Sequence, residues 1–290
     1  MELHQLRYFL AIAEHGAMRE AARSVHVAQP SLSKQIKKLE EELGQRLFDR
    51  STQGATLTPA GTALLPRARA ILAEVDTVAD SVRSELGERP RSLAAGAIPT
   101  MAPALLPRLV RATRTRFRDL PIRLDENLTE HLVADVIHGK LDFALVSTPV
   151  QHARIELEVI GREPLLVALP TQHPLAGRQR VTLTQLRKEP AVVLDDVHCL
   201  GQQVSAYCTE RAIGSDVICR STQVSTVIRL VRLGFGYALV PAMCASGGGV
   251  TFVPIARDQP ARDIAVAWPK HRPRTDVARH AVNALRSAFA

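Results

Sequence analysis

Residues 16–44 constrain the fold most, because two helix stops and one helix start are written into them. Upstream, Leu3, Leu6, Leu10 and Ala13 recur at helical spacing, which predicts an amphipathic helix ending near Gly16. In AMREAARS (17–24) the small pair Ala21-Ala22 lets one helix lie close against another, and VHVAQ then breaks the pattern ahead of Pro30. Proline suits a first helical turn, where its missing N–H would have no partner, so Pro30 opens a new helix. In that helix Leu32, Ile36, Leu39 and Leu43 stand at i, i+4, i+7 and i+11, and Gly44 supplies the stop.

The opposite face carries Ser31, Ser33, Lys34, Lys37 and Lys38. Short hydroxyls near a helix start can approach base edges, while lysines further along neutralise phosphates and fix the register. Any surface helix also has a polar face. The following RLFDRSTQGATLT favours the DNA reader, because Leu47-Phe48 and Thr56-Leu57 can pair as strands around Gly54 into a wing that carries Arg50. Bulk charge does not carry this reading. The chain has a net charge of +8, but residues 1–58 hold eight Lys/Arg against seven Asp/Glu, so the excess lies elsewhere.

From LRYFLAIAEHG through REAARSVHVAQPSLSKQIKKLEEELGQRLFDR to TLTPAG, some sixty continuous residues resemble the DNA-binding half of the LysR-type transcriptional regulators. The resemblance implies a winged helix-turn-helix over 1–58, with Gln29, Pro30, Ser31, Ser33, Lys34 and Lys37 at bases or nearby phosphates and Arg50 in the wing. It implies double-stranded promoter DNA as partner, with RNA polymerase a further candidate.

Thr58 can cap and Pro59 can start the next helix, in which Leu64, Leu65, Ala68, Ile71, Leu72, Val75, Val78, Val82 and Leu86 follow steps of three and four. A stripe this long without a turn is the pattern of a coiled-coil seam, since a lone helix cannot bury it, although a core helix of one domain would read alike. Residues 59–88 are therefore expected to form a linker that makes a homodimer, with a homotetramer as the larger assembly. GERPRS (87–92) cannot continue the apolar pattern and reads as a hinge.

Beyond it, SLAAGAI, IRL and LDFALVS alternate with the helical stretches MAPALLPRLVRATRTRF and TEHLVADVIHGK. That alternation predicts a mostly parallel sheet with helices on its faces. LLVALP, AVVL, VICR and YALVP supply a second set, and the chain returns to the first with IAVAW and a final helix after Thr275. Residues 89–290 resemble the α/β periplasmic-binding-protein-like, two-lobed effector domain of LysR-type regulators, with lobe I at 89–163 and 268–290 and lobe II at 164–267.

Ligands of open α/β sheets sit beyond the carboxyl ends of strands, at helix N-termini. Thr100 and Thr129 stand at such places, and Gln202 is a third candidate for the effector cleft; either threonine would serve equally as a plain helix cap.

AVVLDDVHCLGQQVSAYC contains the sharpest signal in this half. Cys199 falls near a helix start with His198 beside it, and both features favour the thiolate that attacks peroxides. Cys208 lies nine residues on, about 13.5 Å and two and a half turns along a helix, on the opposite face. A disulfide needs Cα atoms within about 7 Å, so oxidation would have to refold the segment, as a switch requires. Two unrelated buried thiols remain the plainer alternative. This stretch, IPTMAPALLP and VRLGFGYALVPA are similar to the peroxide-sensing OxyR branch of the family. That similarity implies that Cys199 is oxidised, that Cys208 captures it as a disulfide, and that His198, Thr100 and Thr129 surround the reactive thiol. It also implies that antioxidant genes are the targets. Where the branch has Arg-Asp after the Cys-Leu, this chain has Gly201-Gln202, and where it has a late arginine this chain reads Trp268-Pro269-Lys270. Cys219 and Cys244 match no role and read as packing residues.

Other functions fit less well. A zinc set of His198, Cys199, Cys208 and Cys219 has none of the usual spacings, and no GxSxG elbow appears, so neither a metal, a cofactor nor an enzyme is expected. A small organic acid held reversibly between the lobes is the alternative effector to hydrogen peroxide. The N-terminus MELHQLRYFL lacks a leader pattern, and no apolar run approaches a membrane span, so a cytoplasmic location without membrane contact is expected.

Overall fold

The computed structural model describes residues 1–51, 54–85, 92–214, 216–287 and 289. They belong to two compact units, Met1–Arg89 with Ile137–Lys140, and Pro90–Val136 with Leu141–Ala290.

The first unit begins with α1 (Leu3–His15), α2 (Met18–Ser24) and α3 (Gln29–Leu43). Gly16 and Gly44 end α1 and α3 in the left-handed conformation that glycine adopts without penalty. The buried stripe of α1 is Leu6, Phe9 and Ile12, rotated from the expected one, and Leu3 is exposed. Ala21 and Ala22 of α2, and Leu32, Ile36 and Leu39 of α3, complete this core, while Leu43 stays exposed. Helix α3 starts one residue before Pro30, which occupies its first turn.

The wing is the antiparallel pair β1 (Phe48–Ser51) and β2 (Gly54–Leu57), with Phe48 opposite Leu57 and Arg50 opposite Ala55. Glu40 of α3 accepts from the Leu47 amide at 2.8 Å, and Ala55 N–H donates to the Gly16 carbonyl at 2.8 Å, so both ends of the wing are tied to the helices.

Helix α4 (Pro59–Glu85) begins where Thr58 Oγ1 accepts from the Gly61 amide at 3.0 Å. Ala68 and Leu72 join the core of this unit, but Ile71 and Val78 on the same helix remain exposed. The expected seam residue Leu86 and most of the hinge at 87–92 lie outside the described residues, as do the side chains at Val82 and Arg50.

The second unit has two cores. The first lobe is built from β3 (Leu93–Ala97), α5 (Ala102–Arg116), β4 (Ile122–Glu126), α6 (Thr129–Ile137) and β5 (Phe143–Ser147). The long strand β6 (Ile155–Pro170) then runs into the second lobe, made of α7 (Leu183–Leu186), β7 (Ala191–Leu194), α8 (Cys199–Arg211), β8 (Val217–Ser221), α9 (Val224–Arg232), β9 (Ala238–Pro241), a 3-10 turn at Ala242–Cys244 and β10 (Val250–Val253). The return strand is β11 (Ala261–Pro269), and α10 (Asp276–Arg286) closes the chain.

One sheet runs in the order β10-β6-β11-β5-β3-β4, with β9 also on β6. Strands β3, β4 and β5 are parallel as expected, and so are β7 and β8. The sheet as a whole is mixed, which corrects the expectation of a mostly parallel one. The two connections between lobes, β6 and β11, run in opposite directions and pair antiparallel along residues 155–164 and 261–269. The expected lobe boundary between 267 and 268 also moves: Ile264 to Trp268 all lie in the first core, so the return crossing falls near Arg262. Among the described residues no helix is long and apolar enough to cross a membrane.

Candidate functional site

Helix α8 places both thiols. It starts at Cys199, with His198 as its N-cap residue. The imidazole neither caps the helix nor bonds the thiol; its Nε2–H donates to the Thr222 carbonyl at 2.7 Å, holding the buried ring against the turn after β8. Cys199 lies in the first turn, half-buried, and packs against the core of the first lobe. Cys208 packs against the core of the second lobe, as the half-turn phase difference over nine residues requires. All four cysteines are free thiols, and among the described residues no cluster of three His, Cys, Asp or Glu could hold a metal ion.

The inner face of α8 is thin. Only Leu200, Gly201 and Val204 are buried, and a cavity of about 510 Å3 between α8 and the strands β7 and β8 runs along Gly201, Val204, Ser205, Cys208 and Thr209. Burial pushes the Cys208 thiol up to about 11, so the folded α8 favours its protonated form. Gly201 is required by close approach, since a Cβ there would fall 2.1 Å from the Asp195 carbonyl oxygen. The arginine implied at this position by the family resemblance would not fit.

Around Cys199 the chain forms a cavity of only 10 Å3, about what the centre of one water-sized molecule needs. Its walls are Ile98, Pro99, Thr100, Leu128, Thr129, His198 and Leu200. Neither threonine is a plain cap. Helix α5 has Met101 as its N-cap residue, and the buried Thr100 Oγ1 accepts from Arg262 Nη1 at 2.5 Å. Thr129 begins α6, and its Oγ1 is buried with no hydrogen-bond partner among the described residues. A buried hydroxyl without a partner is costly unless something else occupies the space beside it.

Gln202 is not brought to this site. Its side chain is exposed and turns back to donate to the Asp196 carbonyl at 2.8 Å. The neighbouring Gln203, one turn after Cys199, donates to the Thr148 carbonyl at 2.6 Å and to Ser147 Oγ at 3.2 Å, tying α8 to the first lobe.

Sequence reasoning also missed Arg262 and Glu163. Their ion pair at 2.8 Å is almost fully enclosed, with side chains 0% and 6% exposed, and it joins β11 to β6 where the chain crosses between lobes. The only signal was a charge standing at the edge of an apolar strand in each of GREPLLVALP and ARDIAVAW.

Next to the small cavity lies a wider cleft of about 730 Å3, lined by Thr100, His198, Gln223, Ser225, Met243 and Cys244 among others. The single charged residue among those lining it is Glu126.

A winged helix-turn-helix followed by a two-lobed α/β unit with a thiol at the lobe junction defines the class. The chain belongs to the LysR family: its residues 3–62 match the bacterial regulatory helix-turn-helix protein model of that family, and residues 86–290 match the LysR substrate binding domain. Within it, the chain is similar to a hydrogen peroxide-inducible genes activator of Pectobacterium carotovorum, 35% identical over 273 residues that cover 92% of this chain and 90% of the relative. Among solved structures it is similar to a full-length OxyR of Pseudomonas aeruginosa with a cysteine-to-aspartate substitution, at a TM-score of 0.83, 27% identity and coverage of 99% and 95%. It is also similar to a hydrogen peroxide-bound OxyR cysteine-to-serine mutant of Corynebacterium glutamicum, at a TM-score of 0.65, 30% identity and coverage of 99% and 92%.

Proposed function

We propose that this chain is a DNA-binding transcription regulator switched by hydrogen peroxide through Cys199 and Cys208, and that it controls antioxidant genes. The observation that carries the reading is the 10 Å3 cavity at Cys199, with the unpartnered hydroxyl of Thr129 in its wall. A space of that size, walled by hydroxyls, suits a very small polar molecule such as hydrogen peroxide better than an organic acid. The wider cleft is poorly suited to a carboxylate as well, because Glu126 would repel it.

The chemistry balances in two steps. The Cys199 thiolate attacks one peroxide oxygen, an S–O bond forms, the O–O bond breaks, and the departing hydroxide takes a proton and leaves as water. Cys208, once released from its pocket, loses its proton and attacks the sulfenyl sulfur. The disulfide forms and a second water leaves. Since the two thiols face different cores, α8 must unwind for the second step, and this is the bistable element the signal uses.

At the other end Gln29, Pro30, Ser31 and Lys34 are exposed at the start of α3, with Lys37 one turn on and Ser33 half-buried between them. In this reading they enter the major groove of promoter DNA, with Arg50 on the wing. The exposed Ile71 and Val78 of α4 support a dimer seam over 59–88, which sets two readers about one DNA turn, ~34 Å, apart; pairs of dimers give the tetramer. The chain acts in the cytoplasm as a regulator rather than an enzyme, with RNA polymerase its further partner at the promoter.

Mass spectrometry of thiol states tests this. After stoichiometric peroxide the wild type should carry a Cys199–Cys208 disulfide, Cys208→Ser should stop at the Cys199 sulfenic acid, and Cys199→Ser should keep Cys208 reduced. Four free thiols in the treated wild type would end the proposal.

A further inference from the structure

We propose that Arg262 is a positioning residue for the sensing thiol: clamped by Glu163, it fixes Thr100 so that the threonine hydroxyl directs its proton into the Cys199 cavity. This rests on the peroxide reading given above.

The geometry is specific. Arg262 Nη1 donates to Thr100 Oγ1 at 2.5 Å and Nη2 to the Thr100 carbonyl at 3.2 Å. On its other edge, Nε donates to Glu163 Oε1 at 2.8 Å, and Nη2 lies at 2.8 Å from the same oxygen. Glu163 is itself held, for its Oε2 accepts from the Met243 amide at 2.9 Å. The Cys244 thiol completes the grip on Thr100 by donating to its carbonyl at 3.3 Å.

A guanidinium has donors and no acceptor, so Thr100 Oγ1 can only accept from Arg262. The hydroxyl keeps one proton, and Thr100 lines the cavity at Cys199. The same bond, assisted by the arginine charge in a buried setting, polarises the O–H and makes it a stronger donor. What it meets in the reaction is the departing oxygen of peroxide, which gains negative charge as the O–O bond breaks while sulfur is oxidised. A donor already aimed at that oxygen stabilises the transition state without reorganising.

A buried ion pair is weak evidence for stability, since well-packed apolar residues often do as well. Here the guanidinium's hydrogen bonds beyond its carboxylate partner go to the one residue that also walls the reactive cavity. Arg262 thereby brings a guanidinium to the cavity wall in a chain that reads Trp268-Pro269-Lys270 where the resemblance implies a late arginine.

The experiment uses the full chain and follows Cys199 oxidation by peroxide in stopped flow, with alkylation by iodoacetamide as the control, because alkylation leaves no oxygen to stabilise. Thr100→Val should slow the peroxide reaction at least tenfold, Thr100→Ser should restore it to within about twofold, and Arg262→Lys should slow it several-fold. In the double variant, Arg262→Lys should add nothing to Thr100→Val, and alkylation should stay within about twofold throughout. Multiplicative losses in the double variant, or alkylation falling in parallel, would show Arg262 to be merely structural. If Arg262→Lys fails to fold, the threonine pair still decides, because an unimpaired Thr100→Val leaves Arg262 nothing to position. A wild type that ignores peroxide removes the functional reading and this inference with it, whereas a responsive wild type with multiplicative variants removes this inference alone.

Discussion

Val204→Ala probes how α8 is held. The helix is fastened to the second core by Leu200 and Val204, which are 1% and 5% exposed, while Gly201 contributes contact but no side chain. Truncating Val204 removes two carbons, which at about 0.8 kcal/mol per buried CH2 comes to about 1.6 kcal/mol. The site already borders a cavity of about 510 Å3, so the loss adds to existing free volume and the total stays near 2 kcal/mol. If α8 opens as a unit, that amount raises its open population by roughly 15–30-fold. Hydrogen exchange of peptides spanning 199–211 should quicken by this factor in the reduced protein, and the Cys199–Cys208 disulfide should form correspondingly faster after a peroxide pulse. If exchange in 199–211 is unchanged while the global unfolding midpoint falls, α8 is not an independent opening unit, and the argument that it is the refolding element is refuted.

Two further outcomes are expected. Lys37 is well exposed and pairs with Glu41 at 3.6 Å, so Lys37→Gln should leave stability within about 0.5 kcal/mol yet lower the salt slope of promoter binding by about 1, in fluorescence anisotropy across a salt series; an unchanged slope removes Lys37 from the phosphate contacts. Burial lifts the Cys208 and Cys244 thiols from 9.0 to about 11, so the folded state favours their protonated forms. Below pH 9 both states are protonated and stability is unaffected, but between pH 9 and 11 the unfolded chain ionises first and stability falls. Urea midpoints of the wild type should therefore drop more steeply over that range than those of Cys208→Ala, and parallel curves would contradict the burial argument.

The parts of this fold that were legible in the sequence are those fixed by local signals. Gly16, the Ala21-Ala22 pair, Pro30 and Gly44 each act within one or two turns, and they delimit α1 to α3 closely. The first half of β6 was not legible, because IELEVIGRE interleaves charges that the β11 pairing and partial exposure accommodate only in three dimensions. Strand β10 was missed for a similar reason, its four residues being strand only through their pairing with β6. At the site, Cys199, His198, Thr100 and Thr129 were all named in advance, and the structure gathers them around one cavity. Arg262 could not be found the same way: it meets Thr100 across 162 residues and Glu163 across 99, and no periodicity spans such distances. Gln202 was a cleft candidate from its place near the start of α8, but its side chain turns to the nearer carbonyl of Asp196.

The division of α8 between two cores explains how chemistry at a few atoms can reach the whole regulator. Cys199 and Gln203 belong to the contacts with the first lobe, and Leu200, Val204 and Cys208 to the packing of the second. A disulfide cannot form with Cys199 on one side of the helix and Cys208 on the other, so closing it must strip Cys208 from the second core or Cys199 from the first. If Cys199 leaves, the two hydrogen bonds from Gln203 to Ser147 and Thr148 go with it, at about 0.5–1.5 kcal/mol each. If Cys208 leaves, Val204 beside it loses its seat, at about the 2 kcal/mol estimated for its truncation. On the proposed switch, the first route loosens the joint between lobes and the second loosens α8 within the second lobe, by similar amounts. The thinness of the α8 inner face and the cavity beside Cys208 keep that amount small enough for the formation of one covalent bond to overcome.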